Sequence, residues 1–310
     1  MRKTVASVLS APHYHDEEKA FAYVEAHLWP QGPVCPHCGG VERISKMQGK
    51  ATRMGLHKCY QCRKQFTVRM GTLFESSHVK LHVWLMAIYL IAGSKKGISS
   101  HQLSRTLGLT VKTAWFLSHR IREAMREGDL TAFGQGGGAV EVDETYIGRK
   151  AGAGSPKGGW GHKMTVLGLV DRSTGRSRLF HVEKPGAPVH AVVLENLSRE
   201  ARLMTDEHVM YRRIGREFAE HGAVHHYNRE YVRGDVTTNT VEGALSIFKR
   251  GMRGVYQHCA EKHLHHYLAE FEFRYSHREK LGVDDAARAD KMLKGVVGKR
   301  LTYQQAGGRA

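Results

Sequence analysis

No stretch of this 310-residue chain is long and apolar enough to cross a bilayer. Its most apolar run, Leu81 to Ala92, falls well short of a span and contains His82. The start, Met1 to Ser10, lacks the apolar core of a secretory signal. Neither a lipidation signal nor a basic amphipathic anchor is present, and nothing repeats at a fixed period. Acids are scarce: 30 Asp and Glu against 47 Lys and Arg leave a formal charge of +17. Together these absences exclude a membrane protein and predict a soluble, intracellular chain whose partner is a polyanion, nucleic acid first. Cysteine is also sparse. Four of the five sit in two Cys-x-x-Cys pairs, which excludes a disulfide framework and suits a metal in a reducing compartment.

The length calls for two or three domains. Residues 16 to 29 begin with three acids and end before Pro30, which predicts a short packing helix. Cys35 and Cys38 are followed, twenty residues on, by Cys59 and Cys62. Two such knuckles supply four thiolates to one Zn²⁺, the spacing of a zinc ribbon. Four ligands fill the coordination shell, so the zinc is structural. Between Gln31 and Met70 there are eight Lys and Arg against Glu42 alone, a charge balance that suits phosphates.

Residues 79 to 92 form an apolar helix, and Ile98 to Trp115 has helix-turn-helix form. Ser99 or Ser100 caps its first helix, Gly108 makes the turn, and Thr110 caps the second. Val111 and Trp115 are expected to pack inward. Lys112, Thr113, His119, Arg120 and Arg122 are left to face DNA. Gly134 to Gly138 reads as a flexible break.

After that break the period changes to two. Ala139 to Gly148 alternates as a strand, with Glu141 and Asp143 on one face and Val140 and Val142 on the other. Strands follow at 163–171 and 177–183, joined by a hairpin turn at Asp171 to Gly175. The loop 151–161 is Gly-rich and basic but has no phosphate-loop spacing. Then come a helix at 189–200, a short strand ending in Asp206, a helix at 211–218, a strand at 223–227, and helices opening at Thr237 and at 261–277. That order is the order of an α/β, RNase-H-like fold. The expected domains are a helical segment at 1–30, the ribbon at 31–70, the helix-turn-helix region at 71–130, a linker at 131–138, the catalytic-type domain at 139–280 and a tail at 281–310.

Three carboxylates line up on separate elements of that domain: Asp143, Asp206 and Glu242, with thirty-five residues between the last two. Oxygen ligands of this kind suit Mg²⁺, and two such ions can activate an attacking oxygen and stabilise a leaving one at a phosphodiester. Asn239, three residues before Glu242, makes a capping-box pattern in which the Glu merely satisfies the helix start. Taken alone, that stretch fits either role. Lys249 and Glu242 share a helix face about two turns apart.

The stretch from Val142 to Gly148, the Asp206 strand end, and Thr238 to Gly243 with Lys249 resemble the DDE insertion-sequence transposases. The subgroup with an amino-terminal zinc ribbon is the nearest in pattern. The resemblance covers roughly residues 20 to 280. It implies an RNase-H-like catalytic domain, two Mg²⁺ or Mn²⁺ ions, and cleavage and joining of transposon ends. Asp143, Asp206 and Glu242 would be the metal ligands, Asn239 an alternative at the third position, and Lys249 with Arg250 contacts to the transposon end. It further implies action on DNA as a homodimer, in the bacterial cytoplasm on the nucleoid. A DNA-binding regulator with an inactive nuclease-like domain, or a structure-specific nuclease, would share the same sequence features.

Overall fold

The computed structural model describes residues 7–128, 131–150, 152–154, 159–184 and 186–302. The start of the chain, part of the 151–161 loop and the last eight residues of the expected tail thus lie outside the described residues. Two compact units are formed. One comprises residues up to Ser94, Ile98–Arg126 and those from Asp285 on; the other comprises Lys95–Gly97 and Glu127–Asp284.

The first unit opens with α1 (Glu17–Leu28), whose cap Asp16 accepts the Lys19 N–H at 2.8 Å. A small antiparallel sheet, β1 (Ile44–Lys46), β2 (His57–Cys59) and β3 (Gln65–Phe66), forms the ribbon. The apolar helix α2 (Leu81–Gly93) is the core of the unit and buries Leu81, Trp84, Leu85, Ile88 and Ile91. It has no cap of its own. Glu17 of α1 supplies one, accepting the N–H groups of Leu81 and His82 at 2.8 and 3.1 Å.

The helix-turn-helix follows as α3 (Ser100–Leu107) and α4 (Val111–Ala124). Its capping is as the sequence predicts. Ser99 accepts the Gln102 N–H, Thr110 accepts the Thr113 N–H, and Gly108 turns the chain at φ 65°, a left-handed conformation that suits glycine. Leu103 and Leu117 are buried, whereas Val111 is exposed and does not pack. The expected tail is not a tail over its described first half. Asp285–Lys294 is a helix of this unit that buries Ala289, Met292 and Leu293, chiefly against α2. Its Arg288 donates to the Ala92 carbonyl at 2.9 Å.

The second unit is built on a five-stranded mixed sheet. Strands β4 (Ala139–Ile147), β5 (Met164–Asp171) and β6 (Ser177–Val182) form an antiparallel meander. Helix α5 (Ala187–Asn196) leads to β7 (Arg202–Thr205), which joins β4 in parallel. Helix α6 (Val209–Ile214) leads to β8 (Glu220–Ala223), parallel to β7, so the order across the sheet is β6-β5-β4-β7-β8. A short hairpin of β9 (Val232–Arg233) and β10 (Val236–Thr237) precedes α7 (Asn239–Gly251), and α8 (Leu264–Ser276) follows.

One face of the sheet buries Val140, Val142, Leu167 and Leu203 with Val189 and Val193 of α5. The other buries Ile147, Val166 and Val170 against Val241, Leu245 and Phe248 of α7 and Leu268 and Phe271 of α8. This is the α/β, RNase-H-like arrangement expected.

Two local readings change. The strand expected at 223–227 lies earlier, at Glu220–Ala223. Pairing with β7 fixes it there, and Gly222 lets the backbone pass Val236, where a Cβ would come within 2.7 Å. The glycines at 134–138 are not a flexible break. The Gly134 N–H donates to Asp171, and a Cβ at Gly134 would stand 2.4 Å from Ala201, so close approach is what requires glycine there.

Candidate active site and metal centre

In the ribbon, the four predicted cysteines converge, their Sγ atoms all within 4.8 Å of one another. The Cys35–Cys62 and Cys38–Cys59 pairs stand 3.7 and 3.8 Å apart. A tetrahedron with Zn–S bonds of about 2.3 Å has S···S edges of roughly 3.8 Å, so the cluster fits zinc with no movement. Backbone N–H groups of Cys62 and then Gln61 bring the Cys59 thiol down to about 7, and so favour the thiolate.

In the second unit, β4 and β7 run parallel with Glu141 opposite Met204. Two residues further along the same register, Asp143 and Asp206 come side by side beyond the paired segment. Side chains in register on adjacent strands share a face. The effect on Asp143 is direct. Burial raises its carboxyl to about 7, and the charges of Asp206 and Glu242 add to the rise. A carboxylate cluster held under that repulsion is a site whose ionised form calls for a cation.

Glu242 arrives on α7, and three devices fix that helix to the sheet. Gly168 lies opposite Asp143 on β5, and a Cβ there would be 3.0 Å from Leu245, so its absence lets α7 sit close. Glu141, fully buried, accepts the Thr240 and Val241 N–H groups at 2.7 and 2.8 Å. Its other oxygen takes Arg172 Nε at 2.6 Å, and Arg172 also donates to the carbonyls of Asp235 and Thr237. The helix start is therefore capped from the strand that carries Asp143. The capping-box reading is corrected: the N-cap residue is Thr238, Asn239 is the exposed first residue of α7, and neither makes a side-chain cap.

The Glu242 carboxylate accepts the Thr238 hydroxyl at 2.6 Å and lies 3.4 Å from His226 Nε2. The three carboxylates consequently do not close into one tight set of ligand atoms. Asp143 and Glu242 border a cleft of about 860 Å³ lined also by Glu144, His226, Tyr231, Lys249, Arg250 and Arg253; Asp206 is not part of its lining and reaches the site through its charge on Asp143. Acids thus lie at one end of α7 and cations two turns along it, in the same opening. Asn239 is not among the residues that line it.

Sequence reasoning missed several of these residues. Glu144, beside Asp143 in the chain, is raised by burial to about 7 and accepts the Tyr211 hydroxyl. His226 had no spacing to single it out from His225. What places it is Glu207, which accepts the N–H groups of His226 and Tyr227 and so pins their loop beside the site. Arg253 continues the row of Lys249 and Arg250 and was legible as such.

The helix-turn-helix face is smaller than expected. Lys112 is exposed and Thr113 half-buried, but His119, Arg120 and Arg122 are buried. Arg120 lies against the Trp84 and Phe116 rings, and Arg122 donates to Ser118. Arg120 points back at Trp84 of α2 and the Glu75 carbonyl of the loop before it, whereas His119 lies against Trp115 of α4 itself.

Residues 135–276 match the family described as ISXO2-like transposase domain, and residues 15–65 match the transposase zinc-ribbon domain. A Halobacterium salinarum protein, described as an uncharacterized protein in transposable element ISH50, is 27% identical over 282 residues. That similarity covers 83% of this chain and 90% of the relative. Among solved structures, a chain of the simian T-cell lymphotropic virus intasome in complex with PP2A regulatory subunit B56 gamma is 11% identical with TM-score 0.28. It covers 61% of this chain and 65% of that one.

Proposed function

We propose that this chain, in which residues 135–276 and 15–65 match the ISXO2-like transposase domain and the transposase zinc-ribbon domain, is an insertion-sequence DDE transposase that binds the terminal inverted repeats of its element and catalyses metal-dependent cleavage and strand transfer. The observation that carries the proposal is the cleft in which Asp143 and Glu242, with Asp206 beside Asp143, face the cations of α7.

In this reading Asp143, Asp206 and Glu242 hold divalent cations, Mg²⁺ or Mn²⁺. When bound, these supply charge stabilisation at the scissile phosphodiester and lower the pKa of an attacking water. The chain's own residues do the rest. Lys249, Arg250 and Arg253 hold backbone phosphates along α7, which sets the scissile bond over the acids. Glu141 and Arg172 keep Glu242 in reach of Asp143. Thr238 and His226 keep the Glu242 carboxylate hydrogen-bonded until ligands draw it across.

Hydrolysis at the element's end leaves a 3′ hydroxyl. That hydroxyl attacks a target phosphodiester, one phosphate ester bond forming as another breaks. The ribbon and helix-turn-helix, with Lys112 and Thr113 at the start of α4, bind the repeats. Two ends must be joined together, so the active form is a homodimer on DNA. Among the described residues no helix is long and apolar enough to cross a membrane, which agrees with action in the cytoplasm on the nucleoid.

The test uses the full chain, Mg²⁺, a pre-cut duplex bearing the repeat that flanks the coding region, and a supercoiled target plasmid. Covalent joining of the 3′ end to the plasmid is the expected product. Cutting without joining would make the protein a nuclease, and tight binding with neither would make it a regulator.

A further inference from the structure

Loop 74–79 of the first unit rests on two guanidinium groups. Arg69 donates to the carbonyls of Phe74, Ser77 and Val79, at 3.4, 2.6 and 3.0 Å. Arg120, on α4, donates through Nη2 to the Glu75 carbonyl at 2.8 Å. Trp84 Nε1 adds a bond to Ser77 Oγ. A loop held in this way keeps its shape, and between it and α4 it encloses a cavity of about 270 Å³. Ser76, Ser77, His78, Lys112, Thr113 and Arg120 give that cavity its polar lining, and Trp84 and Phe116 give it an aromatic floor.

Arg120 is anomalous. Only 6% of it is exposed, yet no carboxylate pairs with it among the described residues, and its Nε has no hydrogen-bond partner. Burial pulls its pKa down to about 10, the charges of Arg69 and Arg300 pull in the same direction, and the Glu75 carboxylate, which does not pair with it, offsets this only in part. A buried guanidinium without a paired carboxylate is costly, and an anion delivered beside it removes the cost. The surroundings restrict the anion. Hydroxyls and cations line the opening, no acid does, and Lys112 and Thr113 belong to the helix that faces DNA in the reading above.

We propose that this cavity is a phosphate seat: it receives a backbone phosphate of bound DNA, which Arg120 contacts from beneath while Lys112, Thr113 and Ser76 contact it from the rim. Arg120 thus serves DNA binding as a buried anchor that fixes the register of the helix-turn-helix, carrying no sequence information itself. The inference rests on the reading of this chain as a DNA-binding protein, but on no catalytic step.

The experiment measures duplex binding by the full-length protein across a salt series, for wild type, Arg120→Gln and Ser76→Asp. Arg120 is buried and its loss can disturb folding. Ser76 is exposed at φ 57°, a conformation Asp tolerates, so the second variant leaves the fold intact and places a negative charge at the rim. One phosphate contact fewer should reduce the slope of log K against log salt by about 0.9 and weaken binding roughly tenfold. In parallel, inorganic phosphate should raise the melting temperature of wild type, relative to chloride at equal ionic strength, and not that of Ser76→Asp.

An unchanged slope and affinity in Ser76→Asp overturns the proposal. Stabilisation by phosphate with an unchanged DNA slope also overturns it, since the cavity would then take a free anion rather than DNA. Both readouts are of binding, so their outcome is independent of whether the protein cuts or joins DNA.

Discussion

Asp143 and Glu272 are both half-buried carboxyl groups raised to about 7 by desolvation, but they lie in different company. Asp143 has other acids beside it, an arrangement that a cation relieves. Glu272 is a packing residue of α8, with one oxygen taken by the Leu179 N–H of β6 at 3.1 Å. Its folded value lies above its ordinary 4.5, so its contribution to stability is full below that pH and is lost as the pH rises towards 7. The loss across that window is on the order of 3 kcal/mol. Glu272→Gln keeps an acceptor for Leu179 and removes the titration. From about pH 5 to about pH 8 the wild type should lose melting temperature relative to this variant. Parallel curves would show that Glu272 is not held protonated. Glu272 does not announce itself in the sequence, where it stands between Phe271 and Phe273. Asp143 was legible because it stands on an alternating strand with acids at later strand and helix ends.

At the scale of elements, the recurrent device is a helix start capped from elsewhere in the chain. Glu17 caps α2 across sixty-four residues, and Glu141 caps α7 across about a hundred. Local pattern reading cannot see such caps. It found those of α3 and α4, where the capping side chain belongs to the preceding residue, and at α7 it offered Asn239, which makes no cap. The consequence for the site is testable. Glu141→Gln can keep an oxygen for the Thr240 and Val241 N–H groups but then turns its NH2 towards Arg172 and loses the charge-assisted bond, so stability should fall by about 2 kcal/mol. DNA cleavage should slow as α7 loosens, while affinity for the repeats, which in the proposed reading rests chiefly on the ribbon and helix-turn-helix, stays near wild type. A variant with normal stability and normal cleavage would show that Glu141 does not position Glu242. The same logic separates glycines. Gly108 was legible from helical punctuation, whereas Gly134 and Gly168 are required by neighbours far along the chain.

At the scale of the whole molecule, the excess of 47 Lys and Arg over 30 Asp and Glu suits a polyanionic partner such as the DNA of the proposed reaction. Fold class, ribbon and helix-turn-helix were readable because each is a short-range pattern: thiol spacing, capping residues, a period of two giving way to one of 3.6. The helix at Asp285–Lys294 was not, because what makes it part of the first unit is its packing on α2, nearly two hundred residues earlier. Zinc is expected to be indispensable to that unit. The core cluster of the ribbon is built on Cys35, Cys59 and Phe66, two of them metal-ligating thiols, so removing the metal with a chelator should unfold it and abolish DNA binding. Retention of binding after verified zinc loss would make the ribbon dispensable.

The central claim concerns the three carboxylates, and metal-dependent cleavage of transposon-end DNA tests it most directly. Wild type should nick at the element's end only with Mg²⁺ or Mn²⁺. Asp143→Asn, Asp206→Asn and Glu242→Gln should each lose at least a hundredfold in rate, with DNA affinity and melting temperature unchanged or slightly raised. Cleavage by any of the three at the wild-type rate would contradict the assignment.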